Sequence, residues 1–131
     1  MPLEKEFLEP QPGFTQVVTT SAGGVKTIYV SGQVGRDPVS KKPAEGIKEQ
    51  AKLTYANLLE RLAKAGARRE DIVKTTAFIV NIDPDKVRTV AIAQIKAFGE
   101  EKMPASTWVG ISGLVEPELQ LEVEAIAVVE G

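Results

Sequence analysis

The chain has 131 residues, which is enough for one domain with a modest core, and we predict a single domain over residues 1–131. It contains neither histidine nor cysteine, so catalysis by a Ser-His-Asp or Cys-His arrangement within the chain is excluded and a zinc site is disfavoured. The net charge of −2 and an aromatic content of 5% disfavour a nucleic-acid partner, because such proteins cluster Lys and Arg and stack bases on aromatic rings.

Residues 1–13 carry acidic side chains and prolines where a signal peptide has a basic end and an apolar core. No apolar run approaches the roughly 20 residues that a membrane-spanning helix requires. We therefore expect a cytoplasmic protein with no membrane partner, and the lack of cysteine agrees with a reducing compartment.

The predicted elements begin with a β-hairpin over residues 14–32. Residues 14–20 mix β-branched and polar side chains as a half-buried strand does, and residues 27–32 resume that pattern. Between them, two consecutive glycines permit the positive φ angles of a tight turn. Charge and proline then predict a surface loop over residues 36–43.

Two helices are predicted in the middle of the chain. The first spans residues 46–65, where apolar side chains recur at spacings of three and four, and Gly66 is placed to end it. The second begins at Asp83, which can cap the helix ahead of Pro84 in its first turn, and Gly99 lies near its end. The predicted apolar faces are Ile47, Ala51, Tyr55, Leu58 and Leu62 in the first helix and Val87, Val90, Ala91, Ile95 and Phe98 in the second.

Three further strands are predicted around these helices. Residues 72–80 are rich in β-branched side chains and contain no breaker, which is typical of a central strand buried on both faces. Residues 105–111 and 119–129 form the last two strands. In the final one, Leu119, Leu121, Val123, Ala125 and Ala127 share one face, whereas Gln120, Glu122, Glu124, Ile126 and Val128 share the other.

The order β-β-α-β-α-β-β predicts the fold class. It implies an α+β sandwich of two layers, with both helices on one face of a mixed sheet. The opposite sheet face is half apolar, since it carries Ile126 and Val128 beside Glu122 and Glu124. Such a face on a small domain is typical of assembly into a homo-oligomer.

Three short stretches carry side chains that suit a ligand site. Glu122 alternates with aliphatic residues, so it either lies on a solvated strand face or enters a covered surface, where desolvation would raise its pKa and make it an acid or base. Ser106 and Thr107 follow a proline, so they either cap a loop exit or donate hydrogen bonds to a small ligand. Gly32 either forms a strand-exit turn or lets backbone amides approach a ligand. Nucleophilic catalysis by Ser106 is disfavoured because no adjacent base supports it.

These motifs together resemble the Rid family, which is also called the YjgF family and labelled L-PSP endoribonuclease. The matching stretches are YVSGQVGRDP at residues 29–38, QAKLTYANLLERLAKAGARREDIVKTTAFIVNI at 50–82, MPAST at 103–107 and LEVEAIAV at 121–128. The resemblance implies a chorismate-mutase-like fold, assembly as a homotrimer and three ligand clefts between subunits. It also implies hydrolysis of reactive enamines and imines, such as 2-aminoacrylate, to a 2-keto acid and ammonia, without a metal or a cofactor.

The resemblance also assigns residues to the pocket. Gly32 corresponds to a glycine whose backbone amide contacts substrate, Glu122 to the catalytic glutamate on the last strand, and Phe14 to an aromatic position that is usually tyrosine. Ser106 stands where deaminating members have the arginine that holds the substrate carboxylate, and Thr107 follows it. A hydroxyl offers one neutral hydrogen bond instead of a bidentate charged pair, so the change costs about 1.5–3 kcal/mol of binding.

Three functions remain open on this basis. The first is an enzyme or binder of a small metabolite other than a simple imino acid, with Glu122 as the acid/base group and Gly32, Ser106 and Thr107 as hydrogen-bond donors. The second is a weak or altered imine deaminase, in which another cation replaces the lost arginine, and Arg36 is the nearest candidate. The third is a non-catalytic trimer that senses a metabolite or binds a protein. Ribonuclease activity is disfavoured by the charge and the lack of histidine.

Overall fold

One six-stranded sheet with two helices packed on one face forms the fold, and the computed structural model describes residues 2–131. The strands are β1 Glu4–Gln11, β2 Phe14–Ala22, β3 Val25–Val34, β4 Ile72–Val80, β5 Ala105–Ile111 and β6 Leu121–Glu130. The helices are α1 Gly46–Lys64 and α2 Pro84–Phe98, and a short 3-10 turn, Arg69–Asp71, precedes β4. In space the strands follow the order β1-β2-β3-β6-β4-β5, and every pair is antiparallel except β4 with β5. The predicted α+β class with a mixed sheet is confirmed.

The sheet has one strand more than the sequence predicts, because β1 precedes the hairpin. This strand pairs with β2 along its length, from Glu4 opposite Ser21 to Gln11 opposite Phe14. It forms an edge of the sheet, and Pro10 is tolerated there because one side of the strand has no neighbour. No residue of β1 is fully buried, and its sequence, EKEFLEPQ, accordingly lacks the alternation that identifies a half-buried strand.

The ends of both helices lie where the sequence predicts them. Gly66 follows the last turn of α1 with a φ of +89°, a left-handed conformation that glycine adopts without strain. At the start of α2, Asp83 Oδ1 accepts a hydrogen bond from the Lys86 backbone N–H at 2.8 Å, and Pro84 occupies the first turn. Neither helix within residues 2–131 is long and apolar enough to cross a membrane.

The buried faces of the helices match the prediction in α1 and differ from it in α2. In α1 the fully buried apolar side chains are Ala51, Tyr55, Leu58 and Leu62. In α2, Val90 and Phe98 are buried, but Ile95 is 41% exposed, so its predicted place on the apolar face is wrong. Gln94 takes the buried position instead, because residues four apart in a helix share a face.

The sheet has one covered face and one open face. The covered face of β6 consists of Leu121, Val123, Ala125 and Ala127, as predicted. On its open face Glu124 and Val128 are exposed. The prediction that β4 is buried on both faces is wrong for the subunit, since Ala77 and Ile79 are buried but Phe78 is only half-buried. Both helices pack on the same side of the sheet, so no element of the described chain covers the other side of β4.

Candidate functional site

A β-bulge in β3 shapes the candidate site. In the pairing of β3 with β6, the register shifts between Val30 and Gln33, so Ser31 and Gly32 stand opposite a single residue of β6. A bulge bends its strand and changes the direction of the side chains that follow. Here it accompanies a direct approach of Gly32 to Glu122 of β6.

Gly32 leaves the space that the Glu122 side chain fills. A Cβ atom at position 32 would lie 2.5 Å from Cδ of Glu122 and 2.6 Å from its Cγ and Oε1. These distances are far inside van der Waals contact, so any larger residue would have to displace the carboxyl group. The two predicted site residues are therefore in contact, and the position of the Glu122 side chain depends on the lack of a side chain at position 32.

A cleft of about 590 Å³ opens beside this contact. Gly32 and Glu122 contribute to its lining, together with Phe14 at the start of β2, whose side chain is 50% exposed. Three of the residues predicted for the site therefore come together in one subunit. The cations that border the cleft are Arg36, Lys41 and Arg61.

The Glu122 carboxyl lies in an environment that disfavours its charged form. Partial burial raises its pKa above the ordinary value, and the negative charge of nearby Glu124 raises it further. A carboxyl group with a raised pKa exchanges protons closer to neutral pH than an ordinary glutamate does. The cleft thus holds a group that can act as a general acid or base.

Two amide side chains of α1 hold neighbouring loops in place, and of the two Asn57 lines the cleft whereas Gln50 does not. Gln50, which is buried, donates to carbonyls in the loops on either side of it, at 2.9 and 2.8 Å. Asn57 donates to the carbonyl of Arg36 at 3.0 Å. Sequence analysis missed both residues. The available signal for Gln50 is its spacing of three from Ile47, which puts a polar side chain within the buried stripe.

A second groove, about 800 Å³ in volume, lies on the other side of Arg36. Residues 41–47 and 116–118 form most of its wall, together with Gln50. Although this groove is the larger, neither Gly32 nor Glu122 borders it. The smaller cleft is the better candidate, because it contains the carboxyl group with a raised pKa.

Ser106 lies on the covered side of the sheet. Its hydroxyl is 2.9 Å from the hydroxyl of Thr75, accepts from Gln94 Nε2 at 2.9 Å and lies 3.2 Å from the carbonyl of Pro104. Gln94 in turn accepts from the buried hydroxyl of Tyr55 at 2.8 Å. These hydrogen bonds tie the first residues of β5 to both helices, so in this subunit the Ser106 hydroxyl is occupied by the protein itself.

Thr107 faces the open side of the sheet, where its hydroxyl accepts from Lys74 Nζ at 2.6 Å. Its strand, β5, is separated from Glu122 on β6 by β4, which corresponds to about 10 Å across the sheet. The structure therefore does not bring Ser106 and Thr107 into the same cleft as Phe14, Gly32 and Glu122 within one subunit. The ligand-binding role of the pair stays a prediction.

Several known proteins are similar to this chain in sequence and in fold. The sequence profile of the family described as Endoribonuclease L-PSP matches residues 5–129. A 2-iminobutanoate/2-iminopropanoate deaminase from Dermatophagoides farinae is 30% identical over 127 residues, covering 94% of this chain and 92% of that protein. The Rattus norvegicus protein of the same name is 36% identical over 105 residues, covering 79% and 73%. The crystal structure of Escherichia coli TdcF with bound serine is 27% identical, with a TM-score of 0.76 and coverage of 89% and 88%.

Proposed function

Because this chain belongs to the Endoribonuclease L-PSP family, also called the Rid or YjgF family, we propose that the cleft beside Gly32 binds a small metabolite and that Glu122 exchanges protons with it. The observation that carries the proposal is the contact between these two residues, because a side chain at position 32 would displace the Glu122 carboxyl group. The partly buried carboxyl group, with its raised pKa, suits the role of acid or base.

We further propose that the standard 2-imino acid deaminase activity is lost or strongly reduced. The resemblance described above implies that deaminating members have an arginine where this chain has Ser106, and the Ser106 hydroxyl is engaged with Thr75 and Gln94. A neutral, occupied hydroxyl cannot replace a bidentate, permanently charged carboxylate clamp. The ligand of this chain is therefore expected to differ from a simple imino acid in the way it is held.

The open sheet face supports assembly as a homotrimer. A row of paired residues crosses it from Phe7 through Val18, Tyr29 and Ile126 to Lys74, and Phe7 and Tyr29 are 60% and 44% exposed. The resemblance to the Rid family implies that three copies cover this apolar row and that each ligand cleft lies between two subunits, and on that basis we propose that Thr107 of one subunit lines the cleft of the next. We place this trimer in the cytoplasm, as the sequence predicts.

A weak or altered imine deaminase is the second candidate. It is favoured by the similarity to two proteins named 2-iminobutanoate/2-iminopropanoate deaminase and by the position of Glu122 in the cleft. In that reaction Glu122 gives a proton to the imine nitrogen while water adds to the imine carbon and returns a proton to Glu122. The same group then transfers the hydroxyl proton of the adduct to its amino group, and cleavage of the C–N bond releases ammonia and a 2-keto acid. Arg36, which borders the cleft, would then supply the positive charge.

One pair of measurements tests these proposals. Binding is measured by thermal shift with small 2-oxo and 2-amino acids, and turnover by release of keto acid from 2-aminoacrylate generated with a serine dehydratase. We expect a ligand-induced shift that Gly32→Ala removes, without acceleration of keto-acid release. Acceleration that Glu122→Gln abolishes would overturn the proposed loss of activity and establish the second candidate. Binding without any turnover of the ligand would identify a metabolite sensor, and a monomer in solution would contradict the trimer.

A further inference from the structure

Gln16 lines the cleft from β2, and its backbone is fixed beside the bulge of β3. The carbonyl oxygen of its neighbour Thr15 accepts a hydrogen bond from the Ser31 hydroxyl at 2.6 Å. Ser31 directly precedes Gly32 in the bulge. This hydrogen bond therefore holds the chain at Gln16 close to the residue on which the proposed site depends.

The orientation of the Gln16 side-chain amide is set by Gln33. Gln33 is buried, its Oε1 accepts from Arg61 Nε at 3.3 Å, and its Nε2 donates to the carbonyl of Ser31 at 3.0 Å. A guanidinium group only donates and a carbonyl oxygen only accepts, so the Gln33 amide cannot turn over without losing both bonds. The second hydrogen of Gln33 Nε2 is directed to Gln16, whose Oε1 accepts it at 2.9 Å.

The edge strand and α1 hold Arg61 in this arrangement. Arg61 Nη1 donates to the carboxylate of Glu9, which lies in β1 between two residues that pair with β2. Lys64 of α1 donates to the same carboxylate at 3.1 Å. The hydrogen bonds that run from Glu9 to Gln16 thus fix the polarity of the Gln16 amide before a ligand binds. A group that is oriented in advance loses less conformational freedom on binding.

The Nε2 atom of Gln16 has no hydrogen-bond partner within residues 2–131. The oxygen of the amide is occupied by Gln33, and the nitrogen of the same planar group carries two hydrogens. The Gln16 side chain is half-buried and lines the cleft. These two N–H groups are therefore oriented donors that a bound molecule can use.

The other neutral donors at the cleft are already used within the protein. The Ser31 hydroxyl and both hydrogens of Gln33 Nε2 have acceptors. Asn57 Nδ2 donates to two backbone carbonyls, each at 3.0 Å. Among the neutral polar side chains that line the cleft in the described part of the chain, only Gln16 keeps N–H groups for a ligand.

We propose that Gln16 donates a hydrogen bond from Nε2 to the ligand and selects a molecule with an accepting oxygen atom at that point. This inference rests on the proposed function of the cleft and adds a residue that determines its specificity. A ligand with an amino or ammonium group there is rejected, because donor would face donor and both would stay unpaired. Gln33 is a positioning residue that acts through Gln16.

The test uses two probes of similar size and opposite polarity. The oxygens of 2-oxobutanoate only accept hydrogen bonds, whereas the ammonium group of butylamine only donates them. Affinities are measured by NMR titration of the wild type, Gln16→Met and Gly32→Ala. Gln16→Met keeps the side-chain volume and removes the donors, so it should weaken binding of 2-oxobutanoate about tenfold and leave butylamine unchanged.

Gln120→Met is the matched control for the loss of a glutamine side chain. Gln120 is also half-buried, but it lines the second groove instead of the cleft. This variant should change the affinity for neither probe. If it weakens binding of 2-oxobutanoate as much as Gln16→Met does, the effect is not specific to the Gln16 amide and the inference is overturned.

Gln33→Glu tests how the polarity of Gln16 is set. A carboxylate at position 33 accepts from Arg61 and from Gln16, so the Gln16 amide must turn over and present its oxygen to the ligand. Binding of 2-oxobutanoate should then fall at least as far as in Gln16→Met. Most of this loss should disappear when Gln33→Glu is made in the Gln16→Met protein. An equal loss in both backgrounds would show that Gln33 does not act through Gln16.

A measurement on the wild type keeps the test valid if these variants fail to fold. The side-chain N–H signals of Gln16 are followed by NMR while 2-oxobutanoate is added. They should shift and exchange more slowly with water as the probe binds, whereas those of Gln120 should not. Binding that leaves the Gln16 signals unchanged would contradict the inference.

The outcomes separate failure of this inference from failure of the proposed function. If Gly32→Ala weakens binding of 2-oxobutanoate but Gln16→Met does not, the role of Gln16 is wrong and the cleft is still the ligand site. The same holds if Gln16→Met weakens both probes equally, since the side chain then acts through packing. If the wild type binds neither probe, or if Gly32→Ala leaves both affinities unchanged, the proposed function fails together with this inference.

Discussion

Two regions of the molecule each present a partly buried polar side chain: Glu122 beside Gly32, and Ser106 at the start of β5. The two side chains differ in how far their hydrogen-bonding groups are satisfied. The Ser106 hydroxyl lies among Thr75, Gln94 and Pro104, each within hydrogen-bond distance. The Glu122 carboxyl is partly buried beside a like charge, which raises its pKa. Satisfied polar groups stabilise a fold, whereas a carboxyl group kept away from its ordinary pKa is available for chemistry. On this contrast rests our proposal that Glu122 takes part in the chemistry of the cleft while the Ser106 hydroxyl stabilises the fold.

Gly32→Ala is expected to have the largest effect, because the new Cβ would displace the Glu122 side chain. Binding of 2-oxobutanoate should fall by about tenfold or more, since a misplaced group in a site is costly. The measurement is a titration followed by NMR. Gly113→Ala is the control, because a Cβ at position 113 meets nothing within 4 Å. Equal affinities in the two variants would remove Gly32 from the site.

Tyr55→Phe should destabilise the protein without affecting the cleft. The variant removes the donor to Gln94 Oε1 in a buried position, which costs about 1–3 kcal/mol. Urea unfolding at one fixed protein concentration measures the loss. If ligand affinity fell as much in this variant as in Gly32→Ala, the two regions could not be treated as separate.

Ser106→Ala is expected to cost less, about 1 kcal/mol, because Thr75 and Gln94 each lose one partner at a half-buried site. Keto-acid release and ligand affinity should stay at the wild-type level. If Ser106→Ala folds with normal stability but binds ligand more weakly, Ser106 belongs to the ligand site and the distinction between the two regions is wrong.

Glu122→Gln should change the pH dependence of stability by a small amount. Folding raises the pKa of Glu122 above its ordinary value of 4.5, so the folded protein binds this proton more tightly than the unfolded chain does. The resulting stabilisation is full below pH 4.5 and is lost as the pH rises through the folded value. Glutamine resembles the neutral carboxyl, so the variant should exceed the wild type in melting temperature at pH 7 and approach it near pH 4. Exposed Glu130, replaced by Gln at the end of the same strand, should show no such trend.

Strand periodicity allowed part of the site to be predicted from the sequence. The alternation along β6 separates Glu122 from the buried residues, and the covered face of that strand is as predicted. Which way Ser106 points depends on the pairing of β5 with β4, which is a long-range property. A signal was nevertheless present, because Ser106 shares a strand face with Trp108, and Trp108 packs against the core.

Other features were less accessible from the sequence. The edge strand β1 carries no apolar alternation, because none of its residues is buried on either face of the sheet. Gln94 is buried only because Tyr55 and Ser106 satisfy its amide, and such a partnership between distant residues leaves no local pattern. The bulge near Gly32 likewise depends on the register between β3 and β6.

A crystal structure of the protein with 2-oxobutanoate tests the central claim most directly. The account predicts that the ligand lies against Gly32 in the cleft, with its carbonyl group near Glu122. A ligand bound in the groove on the other side of Arg36, or against Ser106, with the cleft beside Gly32 unchanged, would contradict it.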